Sequence, residues 1–380
     1  MSRKHFNVGR RTFLKSIGVA GTGAYLCAAG LIPGRAAAAA HDKIVIGYLP
    51  VNAETVAYRG GTDFWKQQGL NVDLYRAPGG PAIVEAMISG SIPAGDIGNG
   101  PAIIAAARGF PFYYLTIGAV ATPQQSYSRI MVRPDSDIRT VHDLRGRTIA
   151  LHQRGTMEDL SLGALEKRHG IKKSELKITL IPYPNQPQAL AQGLVDAIYS
   201  VPPSDATAEH KFGMRTLIRT SEFLPWLGYT TLAVRRDFAD KNPDSVKRLI
   251  KGWILTSRWI RDNAAAARTV SNEFLGIPGD IGAHVTLPQW LKNPLPVMPN
   301  IWHIYHMLTG AQMIKPVDDP AKLIDDYFVK PANAFTLPAL EDLGIVDDPL
   351  QSAMIGGDYP LLPKPNSAYY APWETKLVKS

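Results

Sequence analysis

Residues 43–101 read KIVIGYLPVNAETVAYRGGTDFWKQQGLNVDLYRAPGGPAIVEAMISGSIPAGDIGNGP. Lys43 to Leu49 is a β-branched run halted by Pro50, and the helical pattern from Thr55 to Gln68 closes at Gly69. Asn71 to Tyr75 reads as a second strand, Gly80 to Ser89 as a helix with Gly90 beyond its end, and Ala94 to Gly98 as a strand entering Asn99-Gly100-Pro101. Period-2 and period-3.6 segments, punctuated by Gly and Pro, therefore alternate. A helix from Ala102 to Arg108 and a strand from Phe112 continue the series. This is βαβ spacing, and it predicts an α/β fold with mainly parallel sheets covered on both faces.

The same logic recurs downstream. Arg129 to Val132 reads as a strand crossing into a second unit, followed by a strand at Thr148 to Leu151 and a helix at Thr156 to His169. A strand at Lys177 to Ile181, a helix at Pro187 to Gln192 and a strand at Asp196 to Ser200 follow. Thr230 to Val234 returns to the first unit, and from Pro243 the pattern turns mostly helical. The expected organisation is a first lobe over 41–128 and 223–330, a second lobe over 129–222 and a C-terminal extension over 331–380. Two hinge segments, Ala121 to Ser128 and Ser221 to Gly228, would join the lobes. Ligands in such sheets sit outside the carboxyl ends of strands. The informative junctions are then Pro50 to Glu54, Gly98 to Pro101, His152 to Met157 and Ser200 to Asp205.

The 380 residues carry a formal charge of +8, but the excess sits at the front. Residues 1–40 hold six basic residues and no acid, which leaves 35 basic against 33 acidic residues in the body and argues against a nucleic-acid partner. That front segment has a basic stretch to Lys15, an apolar run from Ser16 to Ile32 and an alanine tract from Ala36 to Ala40. This is the anatomy of a cleaved export signal. Arg10-Arg11-Thr12-Phe13-Leu14-Lys15 matches the twin-arginine core, so 1–40 is read as a twin-arginine signal peptide. An uncleaved anchor is the other reading, but four glycines interrupt the apolar run, which falls short of the ~20 residues a span needs. The only cysteine, Cys27, lies inside that run. A mature chain without it has no disulfide, thiolate metal site or cysteine nucleophile. No later segment is long and apolar enough to span a membrane, and the mature chain is read as soluble.

His152-Gln153-Arg154-Gly155-Thr156 lies between a strand and a long helix. Gly155 and Thr156 are expected to present free backbone N–H groups there, a ready anion site, although Thr156 can equally do no more than cap the helix. Glu158 and Asp159 suit the positive helix end yet would repel a nearby anion, so the sign of a ligand's charge stays open. Gly98-Asn99-Gly100-Pro101 lacks the Lys and Ser/Thr of a phosphate loop. It is either a tight turn or a close backbone approach with Asn99 as a hydrogen-bonding group. Asn52 and Glu54 can hold a ligand or simply start the next helix. The sequence has no HExxH, GxSxG or post-strand GxGxxG. His303 and His306 are three apart on a predicted helix, but no third metal ligand can be named, and core or surface roles fit them better. Trp253 and Trp259, within a helical run, suit packing.

Four segments share one order and spacing: IVIGYLP (Ile44 to Pro50), DIGNGPAIIAA (Asp96 to Ala106), DLRGRTIAL with its Gly-Thr and helix (Asp143 to Leu162), and GLVDA (Gly193 to Ala197). VRRDF and NPDSVKR (Val234 to Arg248) also fit. Over about Lys43 to Phe328 the chain resembles the nitrate/sulfonate/taurine-type family of ABC-importer solute-binding proteins, which have a type II periplasmic-binding fold. The resemblance implies a periplasmic protein, monomeric and without cofactor, metal or catalytic residues. It would capture a small organic solute between two lobes and deliver it to an ABC permease in the inner membrane. Carried over by position, the ligand-binding residues are Asn52, Ala53 and Glu54; Asn99, Gly100 and Pro101; Thr156 and Met157; Ser200 and Pro202; with Trp226 and Tyr229 at the second crossing. Many relatives have Ser or Thr where this chain has Met157, and an aromatic where it has Ser200. The departures shift the expected ligand from a simple sulfonate or nitrate toward an aromatic or amphipathic carboxylate. Rival readings are an enzyme on the same fold, of thiamine-pyrimidine or menaquinone type, and a ligand-loaded sensor that signals to a membrane receptor.

Overall fold

The computed structural model describes residues 42–356, so the export-signal reading, Cys27 and the end of the tail lie outside the described residues. Two five-stranded sheets organise the chain. The first contains β1 (Asp42–Tyr48), β2 (Leu70–Arg76), β3 (Ala94–Gly98) and β4 (Phe112–Tyr114). After β5 (Ala119–Val120) the chain crosses to the second sheet, built from β6 (Arg129–Val132), β7 (Thr148–Leu151), β8 (Lys177–Leu180), β9 (Ala197–Ser200) and β10 (Arg215–Arg219). It returns through β11 (Thr230–Arg235), and β12 (Gln289–Trp290) pairs with β5. The orders are β2-β1-β3-β11-β4 and β10-β6-β9-β7-β8. Read from the β8 end, the second repeats the first.

Each sheet is half parallel and half antiparallel, where the spacing predicts mainly parallel pairing. The βαβ units make β1, β2 and β3 parallel, as they do β7, β8 and β9. The crossing strands β6 and β11 enter from the opposite sheet and run antiparallel to their neighbours. The two crossing segments lie side by side. Ala121 N–H donates to the Leu227 carbonyl, and Thr220 N–H to the Ser128 carbonyl.

The helix predicted over Thr55 to Gln68 is broken. A 3-10 turn, Thr55–Gly61, gives way to a short helix, Phe64–Gln67, because Asp63 takes a left-handed conformation (φ 42°) and caps it. A Cβ on Gly61 would lie 2.5 Å from the Trp259 indole, so the break lets a half-buried ring in. Ile83, on the helix Gly80–Ile88, comes so close to β1 and β3 that a Cβ on Gly47 or Gly95 would lie 2.7 or 2.5 Å from it.

The helix Met298–Gly310 packs against both the Asn99–Ala107 helix of the first sheet and the Met157–His169 helix of the second. The segment after Lys330, read as an extension, packs back in its described part. The Arg258 guanidinium donates to the Leu343 and Gly344 carbonyls, and Asp348 accepts from Lys292 N–H at 2.6 Å. Among the described residues no helix is long and apolar enough to cross a membrane.

Candidate ligand cavity between the two sheets

The carboxyl ends of the parallel strands of both sheets meet. Gly100 N–H, at one helix start, points at the Met157 sulfur at another, 3.1 Å away, and a Cβ on Gly100 would press on that sulfur at 3.2 Å. Beside this contact lies a small cavity of about 60 Å³. The first sheet's junctions contribute Leu49, Val51, Ala53 and Glu54 after β1, Gly80 after β2, and Gly98 and Pro101 at the end of β3. The second sheet's contribute His152, Thr156, Met157 and Glu158 after β7, Tyr183 after β8 and Val201 after β9. Tyr127, Tyr229 and Thr230 come from the crossing segments.

The charge in this cavity is acidic. Glu54 is buried with Asp96 behind it, and Glu158 is buried beneath Tyr183, whose hydroxyl donates to Glu158 Oε2 at 2.7 Å. Burial raises all three carboxyls above their ordinary range; Asp96 adds to the rise at Glu54. Asp96 Oδ2 accepts Thr55 N–H at 2.6 Å. The Tyr127 hydroxyl is buried without a partner, while the Glu54 carboxyl hydrogen-bonds that of Asp96. Tyr229 instead reaches Ser128, hydroxyl to hydroxyl, at 2.8 Å, and Ser128 reaches Thr220 at 2.7 Å, which ties the two crossings together. Tyr183→Phe would leave buried Glu158 without its phenol donor. A loss of roughly 1–3 kcal/mol in urea unfolding is expected, and no loss would mean that Tyr183 contributes nothing to holding Glu158.

His152 stacks on Tyr183 with ring centroids 4.2 Å apart and 12° between planes. Burial lowers its pKa. This stack, with Leu49 and Val51, also lines a larger chamber of about 620 Å³ walled by Pro50, Pro78, Pro182, Leu275 and Ile277. A head group's worth of space thus adjoins a drug-sized one across a shared aromatic wall.

The NMT1-like family model matches residues 37–272, more than half of the chain. The chain belongs to the NMT1-like family. It is 28% identical over 204 residues to a putative aliphatic sulfonates-binding protein of Escherichia coli K12, covering 54% of this chain and 62% of that one. It is 28% identical over 215 residues to the taurine-binding periplasmic protein of the same organism, covering 56% and 64%. The chain thus spans a little under two thirds of these curated relatives. The crystal structure of the periplasmic aliphatic sulphonate binding protein SsuA from E. coli superposes with a TM-score of 0.61 at 19% identity, covering 76% of this chain and 99% of that one. The desulfurization enzyme DSZB shares the fold at TM-score 0.58 and 18% identity, covering 80% and 100%. The type II periplasmic-binding fold and the nitrate/sulfonate/taurine-type kinship expected from the four motifs therefore hold.

Within this NMT1-like chain, Ala53, Glu54, Pro101, Thr156, Met157 and Tyr229 line the cavity. Asn52, Asn99, Gly100, Ser200, Pro202 and Trp226 do not. Asn52 Nδ2 donates to the Thr286 carbonyl at 3.2 Å, and Asn99 Nδ2 to the Gly228 carbonyl at 3.0 Å, so both amides hold backbone in place. Gly100 supports Met157 from behind. Ser200 is fully buried, Pro202 precedes Pro203 through a cis bond, and the Trp226 carbonyl accepts from Asn300 Nδ2.

The expected anion site at the Met157–His169 helix start is filled from within. Asp159 Oδ2 accepts Gly155 N–H at 2.9 Å, and Asp159 N–H is directed at Thr156 Oγ1 at 3.4 Å. Lys173 and Arg154 pair with Asp159 at 2.5 and 3.3 Å. Sequence reasoning missed Tyr127, Glu158 and Tyr183 as lining residues. Tyr183 follows β8 as His152 follows β7, so the strand-end rule could have found it; Glu158 was seen only as a helix-dipole residue. His303 is buried, and among the described residues no cluster of three or more His, Cys, Asp or Glu could hold a metal ion.

Proposed function

We propose that the protein is the exported substrate-binding component of an ABC importer. It captures a small organic solute in the cavity between its two sheets and presents the closed form to a permease in the inner membrane. In this reading 41–128 and 223–330 form one lobe and 129–222 the other. The chain acts as a monomer, reaching the periplasm by the twin-arginine route.

The observation that carries the reading is the cavity lined from both sheets, with the Tyr127 hydroxyl buried and unpartnered on its wall. Contacts from both lobes exist only when the lobes are closed, so a ligand shifts the open–closed equilibrium by its differential affinity. The names of the sulfonate- and taurine-binding relatives support the same class.

The likeness to DSZB keeps an enzyme on this fold as the second reading. One experiment separates them. The full chain, purified from its native host, is denatured and the released small molecules are identified by mass spectrometry, then returned to refolded protein in solution scattering. A released molecule that is recovered unchanged and shrinks the radius of gyration supports the binding reading. A molecule converted on incubation, or nothing released and no compaction with any candidate, would sink it.

A further inference from the structure

We propose that the inner cavity takes the positively charged end of an organic ammonium, whose body extends past the His152–Tyr183 stack into the outer chamber. The inference rests on the solute-binding reading and assigns its ligand class.

Among the described residues, no Lys or Arg lines the inner cavity, while two buried carboxyls, Glu54 and Glu158, approach it from opposite sheets. An anion would have to keep both protonated. The helix start that would otherwise receive an anion has its Gly155 N–H taken by Asp159. The wall offers the Tyr127 hydroxyl, at least nine-tenths buried and without a partner, the Glu54 carboxyl, whose side-chain neighbour is Asp96, and the Glu158 carboxyl, held by the Tyr183 phenol. Buried polar atoms are costly to leave unsatisfied. An ammonium N–H group can donate to these oxygens once the carboxyls are charged, and three lining tyrosine rings and the Met157 thioether suit a soft, partly desolvated cation. A water needs about 10–15 Å³ of such space, so 60 Å³ admits a head group and not a whole solute. The body must therefore lie in the adjoining 620 Å³ chamber, which has one lining cation, the exposed Arg76.

Proton linkage separates this from an anion held by protonated carboxyls. Glu54 faces Asp96 and Tyr127; Glu158 faces Tyr183, Tyr127, Tyr199 and Tyr229, with Asp159 next to it tied to its own cations. The empty cavity favours protonated Glu54 and Glu158, and an arriving cation favours their charged forms. Cation binding therefore releases protons, and its affinity rises with pH. An anion accepting from protonated carboxyls would bind more weakly as pH rises.

The test uses the full chain and probes of matched size: benzylamine, benzyl alcohol, benzoate and benzenesulfonate, each to millimolar concentration. Benzylamine is expected to raise the melting temperature while the two anions do not. Calorimetry in two buffers of different ionisation enthalpy is expected to show proton release. Glu158→Gln is expected to weaken benzylamine binding roughly ten- to hundredfold, its ligand-free melt reporting that it is folded. If that variant does not fold, proton release by the wild type decides. Stabilisation by an anion and not by benzylamine would overturn the ligand class and leave the solute-binding reading standing. Benzylamine binding with proton uptake, or no response to benzylamine, would overturn it as well.

Discussion

Replacing Asp96 with Asn is expected to leave stability unchanged near pH 4 and to raise it by roughly 2–5 kcal/mol at about pH 8. Asp96 lies fully buried beside Glu54, and burial pushes it from 3.8 up to about 8. The sign follows from proton counting. Below the unfolded value both states hold the proton and nothing is at stake. Between 3.8 and about 8 the unfolded chain releases a proton that the folded chain keeps, so stability falls as pH rises, and above about 8 the loss is complete. Asn has no such proton. Its Oδ1 can still accept Thr55 N–H, and its Nδ2 can donate to Glu54 in place of the hydrogen bond that the Asp96 carboxyl shares with it. Buried His303, held down to about 4, makes the wild type lose stability toward low pH, but it is common to both proteins and cancels. Urea unfolding of the two proteins across this range is the check. Parallel pH profiles would show that the pair does not titrate as a buried unit.

That pair also shows how far the sequence was legible. Asp96 opens the DIGNGP motif and Glu54 follows the first strand, so each was in view, but nothing in linear order says that β1 and β3 are neighbours bringing the two carboxyls together. Strand and helix order was readable because Gly and Pro punctuate short periodic runs. All four junctions, Pro50 to Glu54, Gly98 to Pro101, His152 to Met157 and, through Val201, Ser200 to Asp205, reach the cavity. Within a loop the junction rule could not say which side chain turns inward. Asn99 looked like the ligand-bonding group, yet its amide pins the Gly228 carbonyl, while Pro101 lines the cavity. The helix start at Thr156 looked like an anion site because a free N–H is visible in sequence and the carboxylate that folds back to cap it is not. Ligand sign was therefore the part least readable: it depends on which of two adjacent acids, Glu158 or Asp159, finds a cation. Asp159 finds Lys173 and Arg154, and Glu158 is left facing the cavity.

Trp65→Ala is expected to destabilise the protein by roughly 3–5 kcal/mol, and Gly252→Ala by roughly 1–3 kcal/mol, although Ala is worth about 1 kcal/mol more than Gly in a helix interior. Gly252 sits inside the 20-residue helix Pro243–Asp262, where propensity alone disfavours it. Its reason is the Trp65 indole. A Cβ at 252 would lie 2.4 Å from that ring, whose Nε1 donates to the Leu249 carbonyl at 3.0 Å one turn earlier. Trp65 is fully buried, so the ring has nowhere dry to retreat to and cannot move without breaking that bond. Ring and glycine are one fit, and their substitutions should couple. Trp65→Leu combined with Gly252→Ala is expected to cost less than the sum of the two single changes, since the smaller side chain makes room for the methyl. Urea unfolding of the four proteins measures the coupling. A stabilising Gly252→Ala, or strict additivity, would mean that the indole shifts freely and that the glycine has some other cause.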